Sequence, residues 1–132
     1  MRTLIACIFP ALFLFMPAAL AQKTAQTPTQ FYMEYRDAWA KAKSVDALLP
    51  YLSKDGRAEI EATPPDKRQM MFEMMKMMGN MSNVKVLKET RKGDSYLLDL
   101  TSTGADKSPL TGSAEIITEG GALRLKRESW KT

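Results

Sequence analysis

Apolar residues recur with two different periods along this chain, and the change between them divides the chain into two halves. From Phe31 onward they recur every three or four positions, the period of an amphipathic helix. From Val84 onward they recur every second position, the period of a strand with one buried face. The pattern predicts an α+β domain in which N-terminal helices pack on one face of a curved antiparallel sheet.

The first helix has a well-defined start in the sequence. Thr27, Pro28 and Gln30 form a capping-box pattern with proline at the first helical position, a combination favoured at helix N-termini. The apolar positions that follow share one helical face and comprise Phe31, Tyr35, Ala38, Trp39 and Ala42. Because the opposite face is polar, we expect this apolar face to pack against the sheet.

Two further helical segments are predicted before the period changes. Residues 45–52 form a short helix that a proline interrupts, and Ser53 can begin another helical stretch. Residues 63–66, with the sequence TPPD, predict the start of a last helix that runs to about Met78. Gly79 follows in the position where glycine commonly ends a helix.

The second half of the chain predicts four strands joined by hairpins. The first opens at Val84 and turns at residues 92–94, the third spans about 110–118, and Gly120 with Gly121 forms a tight hairpin. The core-facing side of the second strand is expected to carry Tyr96, Leu98 and Leu100. One side of the fourth strand is expected to carry Leu123, Leu125 and Arg127.

The order of these elements resembles the nuclear transport factor 2-like superfamily, the α+β cone of scytalone dehydratase, ketosteroid isomerase and polyketide cyclases. The likeness rests on that order, on residues 48–52 (LLPYL), on the methionine-rich last helix and on residues 125–130 (LKRESW). It implies a cone-shaped fold and a small secreted member of unknown function. Enzymes of that superfamily build their sites from Asp, His and Tyr inside the cone, and this chain contains no histidine. The resemblance therefore implies the fold and weakens the enzyme interpretation.

The N-terminal segment has the pattern of an export signal. Arg2 precedes an almost wholly apolar run over residues 4–20, and residues 19–21 (ALA) carry small side chains at the two positions that a signal peptidase reads. The run is near the lower limit for a membrane helix, and two prolines weaken it. We expect cleavage after Ala21, a single domain over residues 22–132, no stable membrane anchor, and a periplasmic or secreted location.

Composition excludes several classes of chemistry. The 132 residues include no histidine, and Cys7, inside the predicted signal, is the only cysteine. The mature chain therefore lacks the residues for a Cys/His zinc site, a Ser-His-Asp triad or a disulfide.

Lys and Arg number 19 against 15 Asp and Glu, and they are dispersed among the acids, so we expect no nucleic-acid partner. No cofactor is expected. Asp55, Glu59 and Asp99 do not form a desolvated carboxylate pair.

A cluster of methionines is the unusual feature of the chain. Its members lie within twelve residues and comprise Met70, Met71, Met74, Met75, Met77, Met78 and Met81. Three interpretations compete: a core-facing helix, an adaptable apolar groove, and a Cu(I) site built from Met70, Met74, Met77 and Met81. The sequence favours the core, with the methionines packed against Val84, Leu98 and Ile116 of the sheet.

The function that these patterns favour is the binding of a ligand or partner without catalysis. The candidate ligand-binding residues are Tyr35, Trp39, Met74, Met78 and Tyr96. Tyr96 is the expected polar group in the cavity, and the partner is a small apolar ligand or a periplasmic protein. One alternative is a cofactor-free lyase or isomerase that uses Tyr96 and a carboxylate. The other is periplasmic Cu(I) binding. Both a monomer and a homodimer are compatible with the sequence.

Overall fold

The computed structural model describes residues 25–79 and 81–132, with the backbone alone at Met78. The predicted signal peptide therefore lies outside the described residues. The helical half contains α1 (Pro28–Lys41), a 3₁₀ helix (Val45–Tyr51), α2 (Lys54–Ala62) and α3 (Pro65–Met78). The sheet contains β1 (Ser82–Lys92), β2 (Ser95–Thr103), β3 (Pro109–Glu119) and β4 (Ala122–Lys131). The predicted α+β class and the order of helices before strands are confirmed.

The start of α1 is the capping box that the sequence predicts. The Thr27 hydroxyl accepts from the Gln30 amide at 3.1 Å, and the Gln30 side chain accepts from the Thr27 amide at 3.0 Å. The amide of Thr29 also donates to a carboxylate oxygen of Glu89 on β1 at 2.9 Å, which ties the helix to the sheet. The aromatic residues that α1 buries are Phe31, Tyr32, Tyr35 and Trp39.

The sheet is an antiparallel meander in the order β1-β2-β3-β4. Gly93, Gly120 and Gly121 have φ values of 61°, 56° and 78°, a left-handed conformation that suits glycine in hairpin turns. The inward face contributes the buried residues Leu98, Leu100, Ala114, Ile116 and Leu125, which form the core together with the α1 aromatics and Leu48. Tyr96 is half-buried on this face, and Asp99 is exposed, as predicted.

A β-bulge in β4 changes which residues face the core. Glu115 pairs with Arg127 while Ile116 pairs with Leu125, so Lys126 is an extra residue that has no backbone register partner on β3. The alternation predicted for β4 is therefore wrong after Leu125. Because the bulge shifts the period by one residue, Arg127 is exposed and Glu128 turns toward the interior.

The connection between α1 and α3 is irregular. Residues predicted as a short α-helix form a 3₁₀ helix with Pro50 inside it, and Leu48 is its only fully buried member. Ser53 begins α2, as predicted: its hydroxyl accepts from the Gly56 amide at 3.3 Å. The Ser53 amide donates to the Leu125 carbonyl at 2.9 Å, so this segment also covers part of the β4 edge.

The methionine-rich helix is placed differently from the sequence prediction. Within α3, Phe72 is buried, whereas Met70, Met71, Met74, Met75 and Met77 are 50–80% exposed. The core interpretation of these methionines is therefore wrong. The inward face of the sheet, including Leu98 and Ile116, is already filled by the α1 aromatics, and α3 packs mainly on the 3₁₀ helix and the end of α1. Within residues 25–79 and 81–132, no helix is long and apolar enough to cross a membrane.

Candidate functional site

The orientation of α3 is set by one aromatic side chain and a lysine beside it. The ring of Phe72 meets the ring of Trp39 nearly edge-on, with their centroids 5.4 Å apart. Lys76, one turn further along α3, donates to the carbonyls of Trp39 and Ala40 and lies 5.3 Å from the Trp39 ring centroid. The face of α3 that contacts the rest of the domain is thus one ring flanked by polar groups.

Two further polar side chains fix the same rotation of α3. The Arg68 guanidinium forms an ion pair with Asp46 at 3.1 Å and donates to the Thr63 carbonyl, also at 3.1 Å. Gln69 donates to the Lys43 carbonyl at 3.3 Å. Turning the helix over would break these bonds, including the part-buried bond between Arg68 and the Thr63 carbonyl. The methionines therefore point to solvent because the polar residues are already engaged.

The exposed side of α3 forms a continuous apolar surface. It consists of Met70, Met71, Met74, Met75 and Met77, and we refer to it as the methionine face. An exposed cluster of large apolar side chains on a folded domain is typical of an interaction site. Methionine is suited to that role because its unbranched thioether chain adapts to irregular surfaces.

A shallow apolar groove adjoins the methionine face. Its volume is about 210 Å³, and its apolar lining comprises Val45, Ile60, Met71, Phe72 and Met75. It lies between α3 and the preceding helical segments. The groove and the methionine face share Met71 and Met75, so together they form one surface with a ridge and an adjacent depression.

A cluster of polar side chains surrounds Glu128 on the inward face of β4. One carboxylate oxygen accepts from the Tyr32 hydroxyl at 2.7 Å. The other accepts from the Trp130 indole at 3.1 Å and pairs with the Arg36 guanidinium at 3.3 Å. A side chain at Gly112 would place its Cβ 2.6 Å from the Trp130 ring, so glycine allows the indole to lie flat against β3.

The buried tyrosines of this cluster are held in the neutral form. Burial raises the pKa of the Tyr32 hydroxyl well above its ordinary value, and the negative charge of Glu128 and the hydrogen bond to it raise it further. Burial likewise raises the pKa of Tyr35, with Glu128 adding to the effect. Arg36 partly offsets both shifts. These hydroxyls can donate hydrogen bonds but are poor bases at neutral pH.

The residues predicted to bind a ligand are divided between two clefts. Tyr35 and Trp39 line one of about 320 Å³, with Glu128 and Trp130 on its opposite wall. Tyr96 lines another of about 500 Å³. The latter cleft also contains Phe31, Tyr51, Glu34 and Arg124.

The remaining candidates lie elsewhere. Met74 is on the methionine face and lines neither cleft, and the Met78 side chain is outside the described residues. Met81 follows the end of α3 and lines the cleft of Tyr35 and Trp39, away from Met70, Met74 and Met77. Across the described residues, no group of three His, Cys, Asp or Glu side chains is placed to hold a metal ion.

The sequence prediction missed three residues of the Glu128 cluster, namely Tyr32, Arg36 and Glu128 itself. Tyr32 and Arg36 are four residues apart on α1, and that spacing places them on one helix face. This signal was available, but the acidic partner was not, because it depends on the bulge at Lys126. Glu128 lies within residues 125–130, one of the segments on which the resemblance in fold rests.

Comparisons with known proteins bear on the fold. No protein-family model and no curated protein sequence matches the chain. A SEC-C motif containing protein from Rhodopseudomonas palustris is similar in structure, with a TM-score of 0.59 and 12% identity over 83% of this chain and 82% of that one. Because the identity is so low, the similarity shows the α+β fold alone.

Two other solved structures are more distant. A de novo designed protein with a curved β-sheet has a TM-score of 0.47 and 14% identity over 76% of this chain and 99% of the design. A hypothetical protein with a ketosteroid isomerase-like fold from Catenulispora acidiphila, in complex with trimethylamine, has a TM-score of 0.46. It is 14% identical over 80% of this chain and 87% of that one.

Proposed function

We propose that the chain is an exported, non-enzymatic member of the nuclear transport factor 2-like superfamily that binds an apolar segment of another polypeptide. The binding surface is the methionine face together with its groove. The observation that carries this proposal is the orientation of α3, in which polar side chains contact the domain and five methionines are left 50–80% exposed. Exposing that much apolar surface is costly in water unless a partner covers it.

The shape of the surface favours a polypeptide over a small ligand. The 14 residues of α3 extend over about 21 Å at 1.5 Å per residue, and the groove runs beside them. A small molecule would cover only part of such a ridge. A partner segment with apolar side chains at helical spacing can cover the ridge and place a side chain in the groove.

The polar groups of the core support binding without catalysis. Both oxygens of Glu128 accept hydrogen bonds from fixed donors, so the carboxylate is engaged in holding α1 on β4. Among the described residues that line the Tyr96 cleft, the only carboxylate is Glu34, which is exposed and bonded to Gln26. Neither carboxylate is in the desolvated, unpaired state that an acid–base mechanism by the lyase or isomerase alternative requires.

The proposal is tested with a fluorescent 14-residue amphipathic Leu/Lys peptide, whose anisotropy rises on binding. The double substitution Met71→Gln/Met75→Gln should weaken binding at least tenfold, because it makes both the ridge and the groove polar. Leu87→Gln is the matched control, since Leu87 is 67% exposed on β1, away from α3. Equal binding by the double variant and the control, with unchanged circular dichroism, would contradict the proposal.

The export part of the proposal has its own test. The exported protein should begin at Gln22, because the small residues at 19 and 21 fit a signal-peptidase site. Cell fractionation and intact-mass measurement of the periplasmic fraction check this. A mass that retains residues 1–21 would refute cleavage without affecting the binding proposal.

A further inference from the structure

We propose that the methionine face also binds one Cu(I) ion in a triangle of thioether sulfurs centred on Met74. The triangle is completed by Met71 together with either Met70 or Met75. This inference goes beyond the proposed function, because it concerns a metal ligand and not a polypeptide. It depends on the sulfur atoms of the face, whereas partner binding depends on its apolar surface.

Helix geometry selects these triangles. Side chains three or four positions apart have Cβ atoms about 5–6 Å from each other, whereas consecutive side chains do not face each other. Met74 follows Met71 by three positions and Met70 by four, and Met75 follows Met71 by four. Three sulfurs on flexible arms can therefore converge on a point above Met74.

The same geometry argues against the particular Cu(I) site that the sequence analysis gives as an alternative. Met70 and Met77 are seven residues apart, so about 10.5 Å of helix rise separates them. Both side chains lean toward the helix N-terminus, so the Met70 arm extends away from Met77 and the two sulfurs are poorly placed to meet at one ion. Met81 lies beyond the end of α3, in a cleft with Trp39 and Val84, and does not share the methionine face. A compact triangle therefore replaces the stripe of Met70, Met74, Met77 and Met81.

The chemistry of the face favours a soft monovalent metal. Thioethers are soft, uncharged ligands, which select Cu(I) over harder divalent ions. The whole chain contains no histidine, and its only cysteine is outside the described residues. Met70, Met71, Met74 and Met75 are 50–58% exposed, so an ion reaches their sulfur atoms without opening the core.

Thioether ligation also predicts how binding depends on pH. Imidazole, thiolate and carboxylate ligands lose metal in acid because they become protonated. A thioether carries no proton to exchange at these pH values. Cu(I) affinity should therefore change less than threefold between pH 7 and pH 5.

The test is an anaerobic titration of the protein without residues 1–21 against a coloured Cu(I) chelator. We expect removal of one equivalent of copper, and at least a tenfold loss of affinity in Met71→Leu/Met74→Leu. Met33→Leu is the control, since Met33 is 40% exposed on α1, outside the methionine face. No copper transfer from the chelator, or equal affinity in the double variant and the control, would overturn the proposal.

Two further measurements distinguish copper binding from peptide binding, and the compact triangle from the longer stripe of methionines. Leucine keeps the surface apolar, so Met71→Leu/Met74→Leu should still bind the amphipathic peptide while losing copper. Loss of both would mean that the two functions share more than the sulfur atoms, and would contradict a site defined by them. Met77→Leu should change Cu(I) affinity less than threefold. A loss as large as that of Met71→Leu/Met74→Leu would refute the compact triangle in favour of the longer stripe.

Discussion

Two helices of this domain, α1 and α3, are alike in sequence pattern, but the apolar side of α1 faces the core and that of α3 faces solvent. Each has 14 residues, each has proline in its first turn, and each carries its large apolar side chains along one side. In α1 that side is buried against the sheet as Phe31, Tyr32, Tyr35 and Trp39. In α3 it is the solvent side, and among the side chains that the structure describes in this helix Phe72 alone is buried.

The difference shows what amphipathicity does and does not determine. A stripe of apolar residues predicts a helix and the two faces it presents. Which face contacts the domain depends on what surface is free to receive it. The aromatics of α1 occupy the inward face of the sheet, and α3 is held by Arg68, Gln69 and Lys76, whose hydrogen bonds would be lost if the helix were reversed.

The largest effect is expected at the contact between α1 and the sheet. Leu98 is fully buried beneath the α1 aromatics. Leu98→Ala should therefore lower the free energy of unfolding by about 4 kcal/mol, within the usual range for emptying a packed leucine site. Urea denaturation measures it. A loss below about 1 kcal/mol would mean that the core is not where the structure places it.

The anchor of α3 should give the next largest effect. Phe72→Ala removes the edge-on contact with Trp39, and we expect a loss of about 3 kcal/mol. Hydrogen exchange should show the amides of α3 losing protection while those of β2 and β3 keep it, because the sheet does not rely on this helix. Equal loss of protection in the strands would show that the two regions are not energetically distinct.

The buried tyrosines make the α1 region sensitive to alkaline pH. Their pKa values are raised in the folded state, so above about pH 10 the unfolded chain releases protons that the folded chain retains. Stability is therefore fully present below pH 10 and falls above it, by up to about 1.4 kcal/mol per pH unit for each tyrosine. Denaturation at pH 9 and pH 11 measures the slope. Tyr32→Phe should reduce it, and an unchanged slope would contradict the assignment.

The smallest effect is expected on the methionine face. Met74→Ala should cost less than about 1 kcal/mol, because the side chain is 55% exposed and leaves no cavity. Thermal and urea denaturation check this. A loss of 2–5 kcal/mol, the range for a buried methionine, would restore the core interpretation of α3 and remove the basis of both proposals.

Local signals in the sequence were sufficient for most of the architecture. The capping box at Thr27, the hairpin at Gly120 and Gly121, and the alternation of Leu98 with Leu100 each depend on neighbouring residues. For that reason they can be recognised without knowing what packs against them. The α+β class follows from their order.

The site was less predictable because it depends on non-local choices. The burial of Phe72 over its methionine neighbours is decided by Trp39, far away in the chain. The inward position of Glu128 depends on a bulge that strict alternation along β4 does not reveal. In both places the residue types were visible in the sequence, but the direction in which they point is set by tertiary contacts.

The bulge at Lys126 also determines which side of the sheet each later residue of β4 faces. If Lys126 instead paired regularly with Glu115, strict alternation would turn Arg127 and Ser129 toward the interior in place of Glu128 and Trp130. Tyr32 and Arg36 would then lose their acceptor without any change to their own sequence. Deleting Lys126 should instead leave Glu128 and Trp130 facing the interior, because Arg127 alone would then stand opposite Glu115.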